Sequence, residues 1–242
     1  MTEARKRINE KLGVVFSWLD KYYLTLVKLN YKYFFIFAML IPVGLVLISI
    51  SLYSITEPFN IFTHYLSDLG IGPNGSGIAF SIAMFTASIA IFLLSVFLFQ
   101  LLQKAGGDPL KVMICLCSST LTAISVFFIG VFPTVYMQII HNVFASILFY
   151  GMLITTISLI LIEWKMSALP KILPISTIIL VVVNSVFTAF TFLRDFNIGD
   201  FESEVRFMEW MTALAGVIWI IIHDLYTFTP RIKNIIKMKY KI

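Results

Sequence analysis

The sequence predicts an all-α, polytopic integral membrane protein with six transmembrane helices and an amphipathic surface helix at its N-terminus. Of its 242 residues, 59% are hydrophobic and only 13% are charged, which is about half the charged fraction of a soluble domain. Apolar residues also gather in six stretches, each near the roughly 20 residues that a helix needs to cross a bilayer. Because backbone amides in lipid must bond within their own segment, these stretches are predicted to be helices.

Short polar connections separate the six predicted spans. Pro42 is expected to kink the first span, and Asp108 and Pro109 are a cap and a first-turn residue for the third. The predicted spans are Tyr33–Ile55, Ile78–Leu102, Pro109–Val131, Met137–Trp164, Ile172–Phe192 and Phe207–Phe228. The chain accordingly divides into a basic N-terminal segment over residues 1–32, a six-helix transmembrane domain over residues 33–228 and a basic tail over residues 229–242.

Residues 5–31 carry apolar side chains at steps of three or four, which is the period of an amphipathic helix. Arg7, Lys11, Lys21 and Lys28 lie between them. The pattern favours a helix on the inner leaflet, with its cations near anionic headgroups. The alternative is a disordered basic tail that only sets the topology.

The distribution of Lys and Arg predicts the orientation. With both termini in the cytoplasm, only Arg194 and Arg206 of the 18 Lys and Arg residues lie outside, as the positive-inside rule requires. The formal net charge of +5 is then a consequence of topology. A nucleic-acid partner is not expected, because the cations are divided among several segments beside lipid.

The connection Phe59–Gly77 gathers a His, a Ser, an Asp and an Asn beside four glycines. His64 and Asp68 are four residues apart, so they would share one face of a short helix over Thr63–Asp68. The Gly-rich turn that follows contains Asn74 and leads into the second span. The free amides and positive dipole at the start of that span are suited to an anion.

Polar residues of three other segments lie at the same predicted depth, near the outer surface. Ionisable groups at membrane depth are costly, which makes each a functional candidate. The predicted ligand-binding residues are His64, Ser67, Asp68, Asn74, His141, Asn142, Arg194 and Glu209. The simpler interpretation is that these are hydrated interfacial residues that hydrogen-bond loops to helix ends.

Two of the chemistries that fit these residues are enzymatic. A zinc site would take its ligands from His64, Asp68, His141 and Glu209, whose side chains are acceptable to zinc but whose spacing is not diagnostic. A hydrolase would use Ser67 as the nucleophile, His141 as the base and Asp68 to orient the base. The motif that usually presents a nucleophilic serine is absent from the sequence.

A pocket for a lipid headgroup is the favoured chemistry, because it demands no exact geometry. Arg194 or Arg206 would pair with a phosphate, helped by the Gly-rich turn and the helix ends. We expect His141, Asp68 and Glu209 to organise this pocket. His223 and Asp224 lie at the cytoplasmic end of the last span and therefore belong to a different site, if to any.

Several short motifs resemble a known family. Ser67-Asp68-Leu69-Gly70 after the first span is similar to the signature of domain-of-unknown-function family 998, as is Gly130-Val131-Phe132-Pro133 followed by His141-Asn142 and Ala145. The Glu209-Trp210 opening of the last span resembles the related FRAG/DRAM/SFK group of six-span proteins. The resemblance implies six helices, marked residues near the outer face and a lipid-related role, without an established reaction.

The sequence therefore predicts an integral membrane protein whose outward-facing polar pocket binds a membrane lipid or another amphipathic ligand. A metal-dependent or Ser-dependent intramembrane hydrolase, or a lipid-remodelling enzyme, is the alternative. A small-solute transporter is the second alternative, and it has the least support because the spans offer few polar residues for a path.

Overall fold

The computed structural model describes residues 10–11, 13–14, 31–132, 134–167 and 169–227, and these form six long α-helices with one short 3₁₀ helix. The predicted surface helix lies almost wholly outside the described residues, and the basic tail lies wholly outside them. The 3₁₀ helix is Leu66–Ile71. The long helices are α1 (Tyr31–Tyr53), α2 (Ser76–Lys104), α3 (Pro109–Val131), α4 (Thr134–Glu163), α5 (Ile172–Asp195) and α6 (Glu202–Thr227).

The lengths and compositions of the helices are those of a polytopic membrane protein. Five of them, α2 to α6, are long and apolar enough to cross a membrane, and α1 contributes the shorter described apolar segment Met39–Tyr53. Large apolar side chains also lie exposed on the outside of the bundle, for example Ile139 at 82% and Ile78 at 69%. A bundle with apolar residues on both its inner and its outer faces is suited to lipid.

Helices that follow one another in the chain pack side by side, because their connections are short. The last helix, α6, also touches α1 and the 3₁₀ helix. The connections between the helices lie at the two ends of the bundle. We call the end that carries residues 54–75 and 196–201 the first-loop end, and the end that carries the connections after Lys104 and after Glu163 the opposite end.

Each end has its own apolar core. Tyr53, Leu69, Phe80 and Ile129 form the core of the first-loop end. A larger cluster fills the opposite end, and its fully buried members include Phe97, Leu101, Val112, Leu159 and Leu173. The packed cores hold the polar groups of each end in place.

Helix bounds match the sequence prediction where a cap or a proline marks them. The start of α3 is confirmed: Asp108 Oδ1 accepts hydrogen bonds from the amides of Leu110 at 3.0 Å and Lys111 at 3.5 Å. By contrast, α6 begins at Glu202, five residues before the predicted Phe207. Apolar character begins at Phe207, but the acidic first turn is helical because carboxylates favour the positive end of a helix dipole.

Candidate functional site at the first-loop end

The Gly-rich turn between the 3₁₀ helix and α2 fastens α1 to α2. Asn74 has a left-handed backbone conformation with a φ of 57°. Its Nδ2 donates to the carbonyl of Leu52 at 3.1 Å and to Oγ1 of Thr56 at 2.7 Å. The predicted ligand-binding residue Asn74 therefore bonds the C-terminal end of α1.

The N-terminus of α2 is enclosed by the chain itself. Ser76 is fully buried, and its carbonyl accepts a hydrogen bond from Oγ of Ser49 at 2.8 Å. The amides of Ser76, Ile78 and Ala79 donate to the carbonyls of Pro73 and Gly75. These three of the amides that the sequence suggested for an anion thus donate within the turn.

Gly77 permits this close approach, so we predict that Gly77→Ala destabilises the protein by about 1–3 kcal/mol, the usual cost of overpacking. A Cβ at this position would lie 2.6 Å from the carbonyl oxygen of Gly70, whereas one at Gly216 would meet nothing within 4 Å. Gly216→Ala in α6 is the matched control and should stabilise its helix by roughly 0.5–1 kcal/mol. Thermal unfolding of the detergent-solubilised variants measures the difference, and equal melting temperatures would contradict it.

Asp68 stabilises the start of the 3₁₀ helix. Its Oδ2 accepts a hydrogen bond from the amide of Tyr65 at 2.7 Å. Burial raises the pKa of the Asp68 carboxyl, and this hydrogen bond together with the nearby His64 and Arg206 opposes the rise. The helix forms at Leu66–Ile71 rather than at the expected Thr63–Asp68, so His64 precedes it.

His64 is held by its local surroundings. Its Nδ1 lies 2.9 Å from Oγ1 of Thr63 and 3.3 Å from the carbonyl oxygen of Asn60. Its ring stacks on Phe59 with the centroids 5.0 Å apart. The interactions fix the ring at the edge of the loop.

Helix α6 is joined to the loop through two hydrogen bonds. Oε2 of Glu209 accepts from the amide of Leu66 at 3.2 Å, and Nε1 of Trp210 donates to the carbonyl of His64 at 3.1 Å. Leu69 of the 3₁₀ helix is completely buried, in the apolar cluster against which Trp210 packs. The Glu209-Trp210 pair therefore positions the loop over the bundle.

A second set of contacts joins the loop to the ends of α5 and α6, and we call Tyr65, Arg194, Glu202 and Arg206 the Tyr65 network. The Tyr65 hydroxyl donates to Oε1 of Glu202 at 2.7 Å and accepts from Nη1 of Arg194 at 2.6 Å. Nη2 of Arg206 donates to the same Glu202 oxygen at 3.1 Å, and its guanidinium lies 5.3 Å from the centre of the Tyr65 ring. Burial and the bond to Glu202 raise the pKa of the Tyr65 hydroxyl.

His141 is separate from the loop and the Tyr65 network. It is 5% exposed, and its Nδ1 lies 2.9 Å from the carbonyl oxygen of Phe132 at the end of α3. Asn142 is exposed on the outside of α4. Within the described part of the chain, the hydroxyl of Ser67 forms no hydrogen bond, so Ser67 and His141 are not paired.

The structure thus brings together His64, Asp68, Arg194 and Glu209 of the predicted site, whose electrostatic interactions connect them. It does not join them to His141, Asn142 or Ser67 through hydrogen bonds within the described residues. Those residues also contain no group of three or more His, Cys, Asp or Glu side chains that could hold a metal ion. The zinc hypothesis therefore has no complete donor set in that part of the chain.

A groove runs along the outside of the bundle between α4 and α5. It is a shallow groove that is largely open to the outside, with a volume of about 420 Å³ and mostly apolar walls. Its lining residues are Leu153, Ser185, Thr188, Ala189, Phe192 and Leu193. The lining residue Leu193 is followed directly in the chain by Arg194 of the Tyr65 network.

A family match covers the loop and nearly all of the six helices described above. The family described as "Protein of unknown function (DUF998)" matches residues 36–225. The chain belongs to this family. No curated protein and no solved structure matches the chain. Family membership places the whole first-loop end inside the shared region, and it assigns no activity.

Sequence reasoning missed two members of the Tyr65 network in this family member. The sequence does not distinguish Tyr65 from an ordinary interfacial aromatic residue. Glu202 precedes the last predicted span, which starts at Phe207, whereas it lies in the first turn of α6. The one available signal was the spacing of Glu202 and Arg206, which is that of a helical ion pair.

We predict that Tyr65→Phe lowers the stability of the protein by about 1–2 kcal/mol, because the partly buried Arg194 and Glu202 lose a shared hydrogen bond. Tyr150 is 53% exposed on α4, so Tyr150→Phe is the matched control and should change stability little. Thermal unfolding in one detergent measures both variants. A Tyr65→Phe protein as stable as the wild type would show that the network does not hold the loop.

Proposed function

We propose that this protein binds an amphipathic membrane lipid, with an acyl chain in the α4–α5 groove and an acidic headgroup beside Arg194. The observation that carries the proposal is that α5 supplies most of the lining of an apolar groove and carries a partly exposed arginine, Arg194, directly after the lining residue Leu193. An amphipathic ligand needs one apolar and one polar contact region, and these two regions adjoin on α5.

The groove is suited to hydrocarbon. Its volume of about 420 Å³ falls in the range of about 300–1,000 Å³ that is usual for ligand sites. The hydroxyl of Thr188 already donates to the carbonyl of Asn184 at 2.8 Å, so its hydrogen needs no acceptor from a ligand. Because the groove lies on the outside of helices that are apolar enough to span a bilayer, lipid chains have direct access to it.

Arg194 can bind an acidic headgroup without leaving its present partners. Its side chain is 31% exposed. Its Nε and Nη2 donate to Oδ1 of Asp195, and its Nη1 donates to Tyr65. A guanidinium has five N–H groups, so these three bonds leave two donors, and phosphate is a favoured acceptor for an arginine.

The enzyme and transport hypotheses have no comparable observation. The described residues contain no Ser67–His141 hydrogen bond, which a nucleophile and its base would share. Several hydroxyls of α3 that could line a path bond their own backbone, as with Ser118 to Ile114 at 2.8 Å and Thr122 to Ser118 at 3.0 Å. Lipid binding is therefore the function that we propose.

The proposal includes six spans, with α1 as the first, and cytoplasmic termini. It also includes a relation to the FRAG/DRAM/SFK group, which rests on the Glu209-Trp210 motif. Support for the orientation comes from charge. Lys104, Lys111, Lys165 and Lys171 lie at or near the opposite end, and Arg194 and Arg206 lie at the first-loop end, as the positive-inside rule requires.

Single cysteines test the orientation, because Asp200 and Ser167 are exposed at the two ends. We expect a membrane-impermeant maleimide to label Asp200→Cys in intact cells and Ser167→Cys only after permeabilisation. The wild-type chain, which contains Cys115 and Cys117, gives the background labelling. The reverse pattern would contradict cytoplasmic termini.

A bulky side chain in the groove tests acyl-chain binding. Ser185 lines the groove, while Ser146 is an exposed serine of α4 that does not line it. In vesicles that contain a phosphatidylglycerol with a photoactivatable acyl chain, we expect Ser185→Trp to reduce cross-linking to α4 and α5 by about tenfold, the effect of losing about 1.4 kcal/mol of binding. Ser146→Trp should cross-link as the wild type does, and an equal reduction in both variants would remove the groove from the proposal.

A pair of arginine variants tests headgroup binding. Arg194 and Arg206 have similar side-chain exposures, 31% and 28%, and both lie within ion-pair distance of Glu202. We expect Arg194→Gln to remove the preference for phosphatidylglycerol over phosphatidylcholine in the same cross-linking assay, and Arg206→Gln to keep it. A preference that survives in Arg194→Gln would contradict the assignment of the headgroup.

A further inference from the structure

The opposite end of the bundle contains a buried set of titratable and polar side chains that lipid binding does not use. Glu163 ends α4, Thr177 lies in the second turn of α5, and Trp219 and His223 lie near the end of α6. The side chains of His223 and Glu163 are 1% and 0% exposed, and Thr177 is 0% exposed. Ionisable groups buried between membrane-spanning helices are costly and are functional candidates.

The hydrogen bonds determine where the protons of the Glu163–His223 pair lie. Nδ1 of His223 lies 3.0 Å from the carbonyl oxygen of Trp219. Since a carbonyl can only accept, Nδ1 carries a hydrogen. Nε2 lies 2.8 Å from Oε1 of Glu163, and a contact this short between two lone pairs would be repulsive unless a proton lay between them.

The pair therefore holds one shared proton. It is either an imidazolium beside a carboxylate or a neutral imidazole beside a carboxylic acid, and its net charge is zero in both forms. The Thr177 hydroxyl accepts from Nε1 of Trp219 at 2.9 Å, and it lies 3.0 Å from both Oε2 of Glu163 and the carbonyl oxygen of Leu173, either of which can accept its hydrogen. The shared proton thus connects α4 to α6, and Thr177 adds a contact from α5.

This arrangement differs from a catalytic triad. In a triad, the carboxylate and the nucleophile contact opposite nitrogens of the imidazole. Here Nε2 contacts Glu163 at 2.8 Å and also lies 3.5 Å from Thr177, while Nδ1 faces the backbone. The burial of all three side chains also leaves no room for a substrate to reach them.

Other ionisable groups surround the pair. Cys115 of α3 is buried within electrostatic range of Glu163. Lys104 at the end of α2 and Asp224 next to His223 are buried at the same end, and both have interaction partners. The Glu163–His223 pair itself has zero net charge only while it keeps its shared proton.

We propose that Glu163 and His223 form a proton-binding site inside the membrane-spanning bundle, whose single bound proton holds α4, α5 and α6 together at the opposite end. Release of the proton leaves a net negative charge among apolar residues such as Leu159 and Leu173, which are 0% and 1% exposed. The bound proton is thus required for tight packing of this end.

The pH dependence of stability tests the site. In an unfolded chain, a histidine loses its proton near pH 6.5. Above that pH the folded wild type holds one proton more than the unfolded chain, so its folding equilibrium constant should fall by up to about tenfold per pH unit between about pH 7 and 8, below the pH of about 8.5 at which cysteines of the unfolded chain ionise. Thermal unfolding of the detergent-solubilised full chain measures this slope.

Glu163→Gln is the decisive variant, because its amide can donate to a neutral His223 and accept from Thr177 without a shared proton. We expect its stability to be independent of pH between about 7 and 8 and to fall below about pH 6.5, where only the unfolded histidine is protonated. Glu204 is an exposed acid of α6, so Glu204→Gln should keep the wild-type slope. A wild type without the slope, or a Glu163→Gln protein with it, would overturn the proposal.

A measurement on the wild type makes the test independent of folding of the variant. The chain has three histidines, so nuclear magnetic resonance of protein labelled with ¹⁵N-histidine and ¹³C-glutamate can resolve the pair. Near pH 8.5, about two units above the ordinary histidine pKa of about 6.5, we expect either an imidazolium at His223 or a protonated carboxyl at Glu163. A neutral imidazole beside an ionised carboxylate would overturn the proposal.

Discussion

Polar groups that leave water must find partners within the chain, and this requirement determines how the first loop sits on the bundle. The loop is long and rich in glycine, so it has many backbone groups to satisfy near the membrane surface. Glu209 and Trp210 of α6 form hydrogen bonds with two of these groups, the amide of Leu66 and the carbonyl of His64. Because α6 is the last helix and the loop follows the first, the same bonds connect the two ends of the described helical domain.

The same requirement distinguishes polar side chains that bond the protein itself from those that keep donors for a ligand at the first-loop end. Asn74, Asp68 and His141 use their side chains to satisfy nearby backbone groups. Arg194 differs, because its guanidinium keeps two donors beyond its bonds to Asp195 and Tyr65. For this reason the proposed lipid site depends on the end of α5 and on the groove beside it. The side chains of the loop bond the protein itself.

The two ends of the bundle handle charge in different ways. At the first-loop end, Arg194, Glu202 and Arg206 remain partly exposed, so water and ions can screen them. At the opposite end, Glu163 and His223 are enclosed by the larger apolar core. A buried pair has no such screening, and a shared proton is the means by which it stays neutral.

The amino-acid sequence by itself determined the helical class, the start of α3 and the approximate extent of every long helix, because hydrophobic run length, caps and prolines act locally. It also predicted that His64, Asp68, Arg194 and Glu209 lie toward the same end of the helices. Only the tertiary structure decided that these four come together, that His141 instead bonds the end of α3, and that Glu163 lies against His223, 60 positions further along the chain. Contacts of that kind depend on helix rotation and neighbour packing, and hydrophobicity alone does not specify either of them.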